Sequence, residues 1–282
     1  MKFGFVMPFG EARAAAELAR LAEEAGWDGF FVWEPVWGYD AWVCLTAAAM
    51  TTERIRLGTL LTPISRMRPW KLASETATLD RLSNGRLILS VGLGAPDTGF
   101  AEFSEVTDRK FRAELMDEGL DILTGLWAGQ PFRYAGKHYT ILPTEFQPPL
   151  PPVQQPRIPI WVVGAWPSEK SMARAARYDG LLPQSFKIGS DGARMAQQAG
   201  LDELRQMKAH VQARRASEAP YDIILDGETP GDSPQKALDV VQPWIEAGAT
   251  WWIESRWEIS RDPDGLNQVR RCIAQGPPGD GL

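Results

Sequence analysis

Glu34 is the first ionisable group in the chain placed where α/β proteins do chemistry. It closes an apolar run, Gly29–Trp33, and Pro35 follows at once. A carboxyl group there could hold or release a proton, or it could be a solvated loop acid. Glu254 ends a second apolar run, Trp251–Ile253, near the other end of the chain. Two acids facing each other across a substrate are what glycoside hydrolysis requires, but nothing in the spacing obliges these two to meet. The only histidines are His138 and His210, expected in a hairpin and a helix. A multi-histidine metal site cannot be built from them, and a Ser-His-Asp triad would need one of two badly placed residues. Cys44 and Cys272 fall in expected helices and read as free thiols. No metal site is expected.

The other groups with chemical potential also sit at the ends of apolar runs. Leu61-Thr62 precedes Pro63 and reads either as a strained bulge that props a ring or as an ordinary strand end. Gly92 and Gly94 would let the backbone pass close to a ring system, or would simply ease a strand into its loop. Gly164-Ala165-Trp166-Pro167-Ser168 leads into a helix. The free amides of Glu169 and Lys170, with the Ser168 hydroxyl, could hold a phosphate, or Ser168 could be a plain helix cap. Gly92–Gly99 is not a dinucleotide fingerprint, because Pro96 and a missing glycine spoil the spacing.

These ends must be positioned by regular elements. The segment Ile55–Gly94 shows the unit. Two nearly continuous apolar runs, Ile55–Thr62 and Arg86–Leu93, flank a helix that can begin at Pro69 and stop at Asn84-Gly85. Further strands are expected at Phe3–Met7, Gly29–Trp33, Ile160–Val163, Gly180–Pro183, Tyr221–Leu225 and Trp251–Ile253. Helices are expected between them, capped in one case by Asp40. Ser190–Ala216 is expected to be largely helical, with a break near Gly200. Eight strands alternating with eight helices predict an α/β fold, a (β/α)8 TIM barrel, over an open doubly wound sheet. One domain is expected over residues 1–275, with an insertion at about 130–159 that carries a small β-hairpin, Phe132–Tyr139. Residues 276–282 read as a disordered polar tail.

Barrel closure would gather the strand ends on one rim. That rim would hold Met7, Glu34, Trp37, Thr62, Gly92, Gly94, Gly164, Trp166, Gln184, Asp226, Glu254 and Arg256. Small residues and large aromatics outnumber ionisable groups, which suits a large flat ligand. The net charge of −6 comes without a basic stripe, so nucleic acid is not an expected partner. No apolar run reaches 18 residues, and no targeting signal is evident, so a cytoplasmic protein without a membrane partner is expected. Twelve tryptophans could be buried within one domain or between the subunits of a homodimer.

Several segments together resemble the bacterial luciferase-like monooxygenases, a group that includes deazaflavin-dependent oxidoreductases. They are Gly58–Pro63, Arg68–Trp70, Thr78–Arg86, Val91–Gly94, Met116–Leu123, Phe132–Tyr139 and Ile160–Ala165. The resemblance runs from Lys2 to about Ile273. It implies a barrel holding reduced FMN or, alternatively, a deazaflavin such as coenzyme F420 at the rim. It also implies a non-proline cis peptide near Leu61-Thr62. Met7, Leu61, Thr62, Gly92, Gly94, Gly164, Ala165, Trp166 and Ser168 would then contact the cofactor. Trp33, Trp37, Trp166 and Gln184 would shape the substrate pocket, and Glu34 would be the acid–base group. Two features depart from the family: no histidine follows the second strand, and Ala95-Pro96-Asp97 offers no arginine for a phosphate. The leading expectation is a monooxygenase that uses FMN reduced by a separate flavin reductase, with dioxygen and a small organic substrate. The alternatives are hydride transfer with F420 and a flavin-binding protein without turnover.

Overall fold

The chain was analysed as a computed structural model, which describes residues 1–145, 150–188, 194–231 and 233–279. The first barrel strand is β1 (Lys2–Met7), followed by α1 (Ala12–Glu24), β2 (Gly29–Val32) and α2 (Ala41–Ala49). The third barrel strand comes in two pieces, β3 (Arg56–Thr59) and β4 (Thr62–Pro63). Then follow α3 (Pro69–Leu82), β5 (Leu87–Gly92) and α4 (Arg109–Ala128). A hairpin of β6 (Phe132–Ala135) and β7 (Thr140–Thr144) precedes β8 (Ile160–Ala165) and α5 (Glu169–Ala176). The chain ends through β9 (Gly180–Ile188), β10 (Arg194–Gln198), α6 (Leu201–Gln212), β11 (Asp222–Gly227), α7 (Pro234–Ala247), β12 (Trp251–Ser255) and α8 (Pro263–Ala274).

Eight parallel strands close on themselves. β1 pairs with β2, β2 with β3, β3 and β4 with β5, β5 with β8, β8 with β9, β9 with β11, and β11 with β12. Closure comes from Lys2–Val6 of β1 lying beside Trp251–Ser255 of β12. Helix boundaries follow local chemistry. Asp40 accepts the Val43 amide at the start of α2, Asp108 the Phe111 amide at α4, and Asp262 the Gly265 amide at α8. Pro69 opens α3, where its missing N–H costs nothing.

Two apolar layers result. The outer one packs helices on strands. The inner one is small: Val6, Phe31, Ile88, Trp161, Ile224, Trp251 and Ile253. Three rings fill the lower barrel. The Phe31 and Trp161 centroids are 5.5 Å apart, Trp161 and Trp251 5.2 Å, and Phe31 and Trp251 6.0 Å. Glycines on the same and neighbouring strands leave the room. A Cβ on Gly29 would lie 2.6 Å from Phe31, one on Gly180 2.3 Å from Trp161, and one on Gly58 2.4 Å from the Ile88 carbonyl oxygen. Large rings on some strands therefore demand glycine on others, as close packing of an interior requires.

The structure revises four expectations. The sixth strand does not stop at Pro183. It runs to Ile188 and pairs antiparallel with Arg194–Gln198, which the sequence had assigned to helix. The free edge of β9 offers this segment backbone partners, and that tertiary context overrides the good helix-forming propensity of Arg, Met, Ala and Gln; residues 190–193 lie outside the described set. The cis peptide is Leu60–Leu61, one bond earlier than expected. Ser168 precedes α5, but its side chain makes no capping bond. At the C-terminus, Pro278 is buried rather than loose, while residues 280–282 lie outside the described set.

The insertion hairpin is fastened to α4. The Glu118 carboxylate accepts the amides of Lys137, His138 and Tyr139 at 2.7, 3.1 and 2.9 Å. This is a packing role, remote from the strand ends.

Gly58→Ala tests the glycine-for-ring exchange. The clash is with a backbone oxygen, which cannot swing away, so overpacking should cost roughly 1–3 kcal/mol. A urea melt should show a lower midpoint at unchanged slope; an unaltered midpoint would contradict the packing described.

Candidate active site at the barrel mouth

Side chains alternate along each strand, so the inner layer defines which residues look up the barrel axis. Above Phe31, Trp161 and Trp251 come Ser90 and Gly92 of β5, Val163 of β8 and Leu182 of β9. Asp226 of β11 and Ser255 of β12 complete the ring. The contacts agree with this placement. A Cβ on Gly92 would lie 3.0 Å from Val163 Cγ2 and 2.9 Å from Leu61 Cδ2. Leu60 and Leu182 pack on the inner cluster. Ser255 Oγ donates to Asp226 Oδ2 at 3.3 Å. Ser90 Oγ is buried and has no partner in the protein.

Asp226 is therefore the carboxylate of the mouth. Its residue is accessible from above, yet protein walls surround the side chain, and that desolvation raises its pKa against the bonds from Ser255 and Trp257. The sequence placed Asp226 on the rim but assigned it no role. Its signal was parity: it stands two residues beyond Ile224 in an apolar strand that ends Asp226-Gly227.

Glu34 occupies a different place. The Leu60–Leu61 bulge interrupts the third barrel strand and turns Thr62 into the layer beneath the helices, where it is fully buried. Thr62 Oγ1 lies 3.0 Å from Thr59 Oγ1, and Thr59 Oγ1 donates to the Ser90 carbonyl at 3.2 Å. Glu34 meets this hydroxyl pair from β2 through Thr62. Although the residue is partly accessible, its Oε2 is sealed off and has no partner. Burial pushes the carboxyl up to about 7, against the Thr62 hydrogen bond and the positive Arg66; Asp40 and Glu75 push the same way as burial. Glu34 is thus a proton-holding group behind the bulge, and its contacts do not place it in the mouth. Glu254 points outward too. It accepts Thr229 N at 3.0 Å and pairs with Arg256 at 2.7 Å, so no Glu34–Glu254 pair faces the mouth.

The remaining candidates divide. Met7, Trp33 and Trp37 come together around a cleft of about 260 Å³ above β1 and β2. Trp33 Nε1 donates to the Pro8 carbonyl at 2.9 Å. Trp166 does not join them; it packs edge-on to His210 of α6, 5.4 Å between centroids. Gln184 spends its amide on the Gln197 carbonyl at 2.7 Å. A Cβ on Gly164 would lie 2.3 Å from Leu181 of β9 and 2.9 Å from Met172 of α5, so its smallness serves packing between strand and helix. The Ala165 amide donates to Ser171 Oγ at 2.9 Å, and the Ser168 amide to the Ala165 carbonyl at 2.8 Å. Gly94 has φ +74°, and a Cβ there would lie 2.8 Å from Phe100. It makes a turn under that ring.

A buried cation does reach this turn, from an element the sequence did not point to. Arg112 of α4 donates to the carbonyls of Leu93 at 2.8 Å and Gly94 at 3.2 Å. Its Nε is buried without a partner, and among the described residues it forms no ion pair. Arg66 lies over the same Phe100 ring, 5.7 Å from its centroid, with Arg112 at 5.2 Å. Among the described residues, no group of three or more His, Cys, Asp or Glu could hold a metal, and no helix is long and apolar enough to cross a membrane.

Residues 1–268 match the family model for luciferase-like monooxygenase. The chain belongs to that family. Similar luciferase-like proteins include an F420-dependent glucose-6-phosphate dehydrogenase of Beutenbergia cavernae, 30% identical over 278 residues, covering 86% of this chain and 79% of that one. Another is Rv3520c of Mycobacterium tuberculosis, described only provisionally as a coenzyme F420-dependent oxidoreductase. It is 34% identical over 197 residues, 65% of this chain, and the match spans little more than half (55%) of that relative. Among solved structures, the F420-dependent tetrahydromethanopterin reductase of Methanopyrus kandleri superposes with a TM-score of 0.74 at 17% identity, covering 98% of both chains. The FMN-bound oxygenating constituent of 3,6-diketocamphane monooxygenase from Pseudomonas putida gives 0.71 at 17% identity, covering 100% of this chain and 99% of that one. These two structures share the luciferase-like barrel.

The raised Glu34 carboxyl has a consequence for stability. Its folded pKa, about 7, lies above the ordinary 4.5. The folded state therefore binds the proton more tightly, and stability falls as pH rises from about 4.5 to 7. Glu34→Gln should remove this loss. The variant should melt higher than the parent at pH 8, by roughly 1–3 kcal/mol, and the gap should close near pH 4. A gap that is constant with pH would contradict the burial.

Proposed function

We propose that this protein is a coenzyme F420-dependent oxidoreductase that moves hydride between the deazaflavin and a small organic alcohol or carbonyl compound. The observation that carries the reading is Asp226, a carboxylate aimed up the barrel axis with a raised pKa. Oxidation of a carbinol by hydride transfer releases the hydroxyl proton, and a positioned base must take it. The F420-dependent relatives support the same choice of cofactor. The reduced-FMN and dioxygen chemistry expected first has less support, because the full-length relatives at 28–30% identity are F420 enzymes.

The residues of the mouth fit a planar ring. Gly92, itself buried, leaves room for the Leu61 and Val163 side chains to lie together as an apolar seat above the fully buried Ser90. Amides at the start of α5, at Glu169 and Lys170, would take a phosphate on the tail. Bound F420 would supply a two-electron hydride acceptor. The protein's own contribution is to hold the ring above the three-ring plug, exclude water beneath it, and receive the substrate's proton at Asp226. Thr62 and Glu34 set the bulge from behind; the protonation of Glu34 would tune the support without touching the substrate.

Fluorescence titration with F420 and, separately, FMN tests the cofactor. F420 should bind at micromolar concentrations and FMN much more weakly. Binding of neither would sink the proposal, and tight FMN binding with oxygen consumption would restore the monooxygenase.

Asp226→Asn tests the proton acceptor. In an F420-reduction assay across short alcohols and sugar phosphates, kcat should drop roughly 100- to 10,000-fold while F420 affinity holds. The parent should lose activity as pH falls through the Asp226 pKa, and the residual activity of the variant should lack that limb. A variant of parental rate and profile would assign the proton elsewhere.

A further inference from the structure

The cleft above β1 and β2 has walls that the hydride-transfer reading does not use. Trp33, Trp37, Phe9 and Tyr39 supply four aromatic faces, and Arg261, from the loop between β12 and α8, is the only charged residue among the described residues that lines it. Its guanidinium sits 6.0 Å over the Trp33 ring. Trp33 is held in place by its bond to Pro8, so the platform is fixed before any ligand arrives. Trp37 is 81% exposed, a large apolar side chain left uncovered at the edge of a concave surface.

Charge balance sharpens the picture. Among the described residues, Arg261 has no ion-pair partner. The adjacent Asp262 turns to the start of α8, accepting Gly265 N at 2.8 Å and Ser260 Oγ at 2.6 Å, and Asp40, between the cleft residues Tyr39 and Ala41, accepts Val43 N at 2.8 Å at the start of α2. Cys44, at the back of the cleft, is buried, and desolvation raises its thiol to about 11, so it contributes bulk and no charge. The cleft thus combines flat apolar walls with one guanidinium whose anion is missing. A guanidinium over an indole retains its outward N–H groups for a carboxylate, which it binds as a planar fork.

We propose that this cleft binds an aromatic carboxylate, its ring among Trp33, Trp37 and Phe9 and its carboxylate on Arg261. The volume of about 260 Å³ lies just under the usual range for drug-sized ligands and suits a single substituted ring. Because the cleft opens on the rim at the ends of β12, β1 and β2, the anion would anchor a substrate whose reacting group extends toward Asp226. This last step rests on the hydride-transfer reading; the binding itself does not.

Isothermal titration of the full chain with benzoate, benzyl alcohol and acetate separates the contributions of ring and charge. Benzoate should bind best. Arg261→Gln should weaken benzoate by about tenfold, corresponding to ~1.4 kcal/mol, and leave benzyl alcohol unchanged. Trp37→Ala should weaken both aromatic probes and spare acetate. Thermal melts confirm that each variant is folded. No benzoate binding, or equal benzoate affinity in Arg261→Gln, would overturn the proposal. F420 titrated in the same preparation distinguishes the failures: F420 binding without benzoate binding rejects the carboxylate site alone, and loss of both also rejects the cofactor reading.

Discussion

Three aromatic rings that must share one barrel interior constrain everything above them. Phe31, Trp161 and Trp251 occupy the axis, and Gly29 on the strand of Phe31 with Gly58 and Gly180 on the next strands over makes that possible. The lower barrel is therefore a packed plug. The layer above it changes character within one residue step, to Ser90, Gly92, Val163 and Asp226. The step from large rings to small and polar groups creates a floor and a shallow open mouth. A planar ligand can lie on such a floor; a ligand that needed a deep pore could not.

The second organising feature is the separation of two carboxyl groups whose pKa values are both raised by burial. Asp226 stands on the inner face of its strand and Glu34 behind the bulge of the third. Period-two alternation decides the difference. Thr59 and Thr62 link Glu34 to the strand backbone at Ser90, so the carboxyl acts on the geometry of the mouth. The same alternation takes Glu254 out of the mouth and pairs it with Arg256. The electrostatics of the rim thus follow from side-chain parity more than from the number of acids.

Much of the architecture could be read from the chain. Continuous apolar runs such as Leu87–Gly92, broken by capped helices, are legible because burial on both faces leaves no alternation to obscure the strand. The hairpin at Phe132–Tyr139 was legible through its turn. The β9–β10 extension was not, because Arg194–Gln198 has no apolar pattern and owes its state to a partner strand. The site was less legible than the fold. Gly92 and Leu61 lie together, but Trp166 and Gln184 turn to α6 and β10, choices set by tertiary neighbours. Arg112 was missed because its position in the first turn of α4 gives no hint that it reaches back to Gly94. Asp226 was visible as a residue, but its importance became visible only with the strand register in hand.

The central claim is that a deazaflavin lies on the floor above the aromatic plug with its reacting face toward Asp226. A crystal structure of the protein with F420 tests it directly. The account predicts ring density against Leu61 and Val163, with the Asp226 carboxylate across the mouth. Ring density in the Trp33–Trp37 cleft, or anywhere that leaves Leu61 and Val163 uncovered, would contradict it.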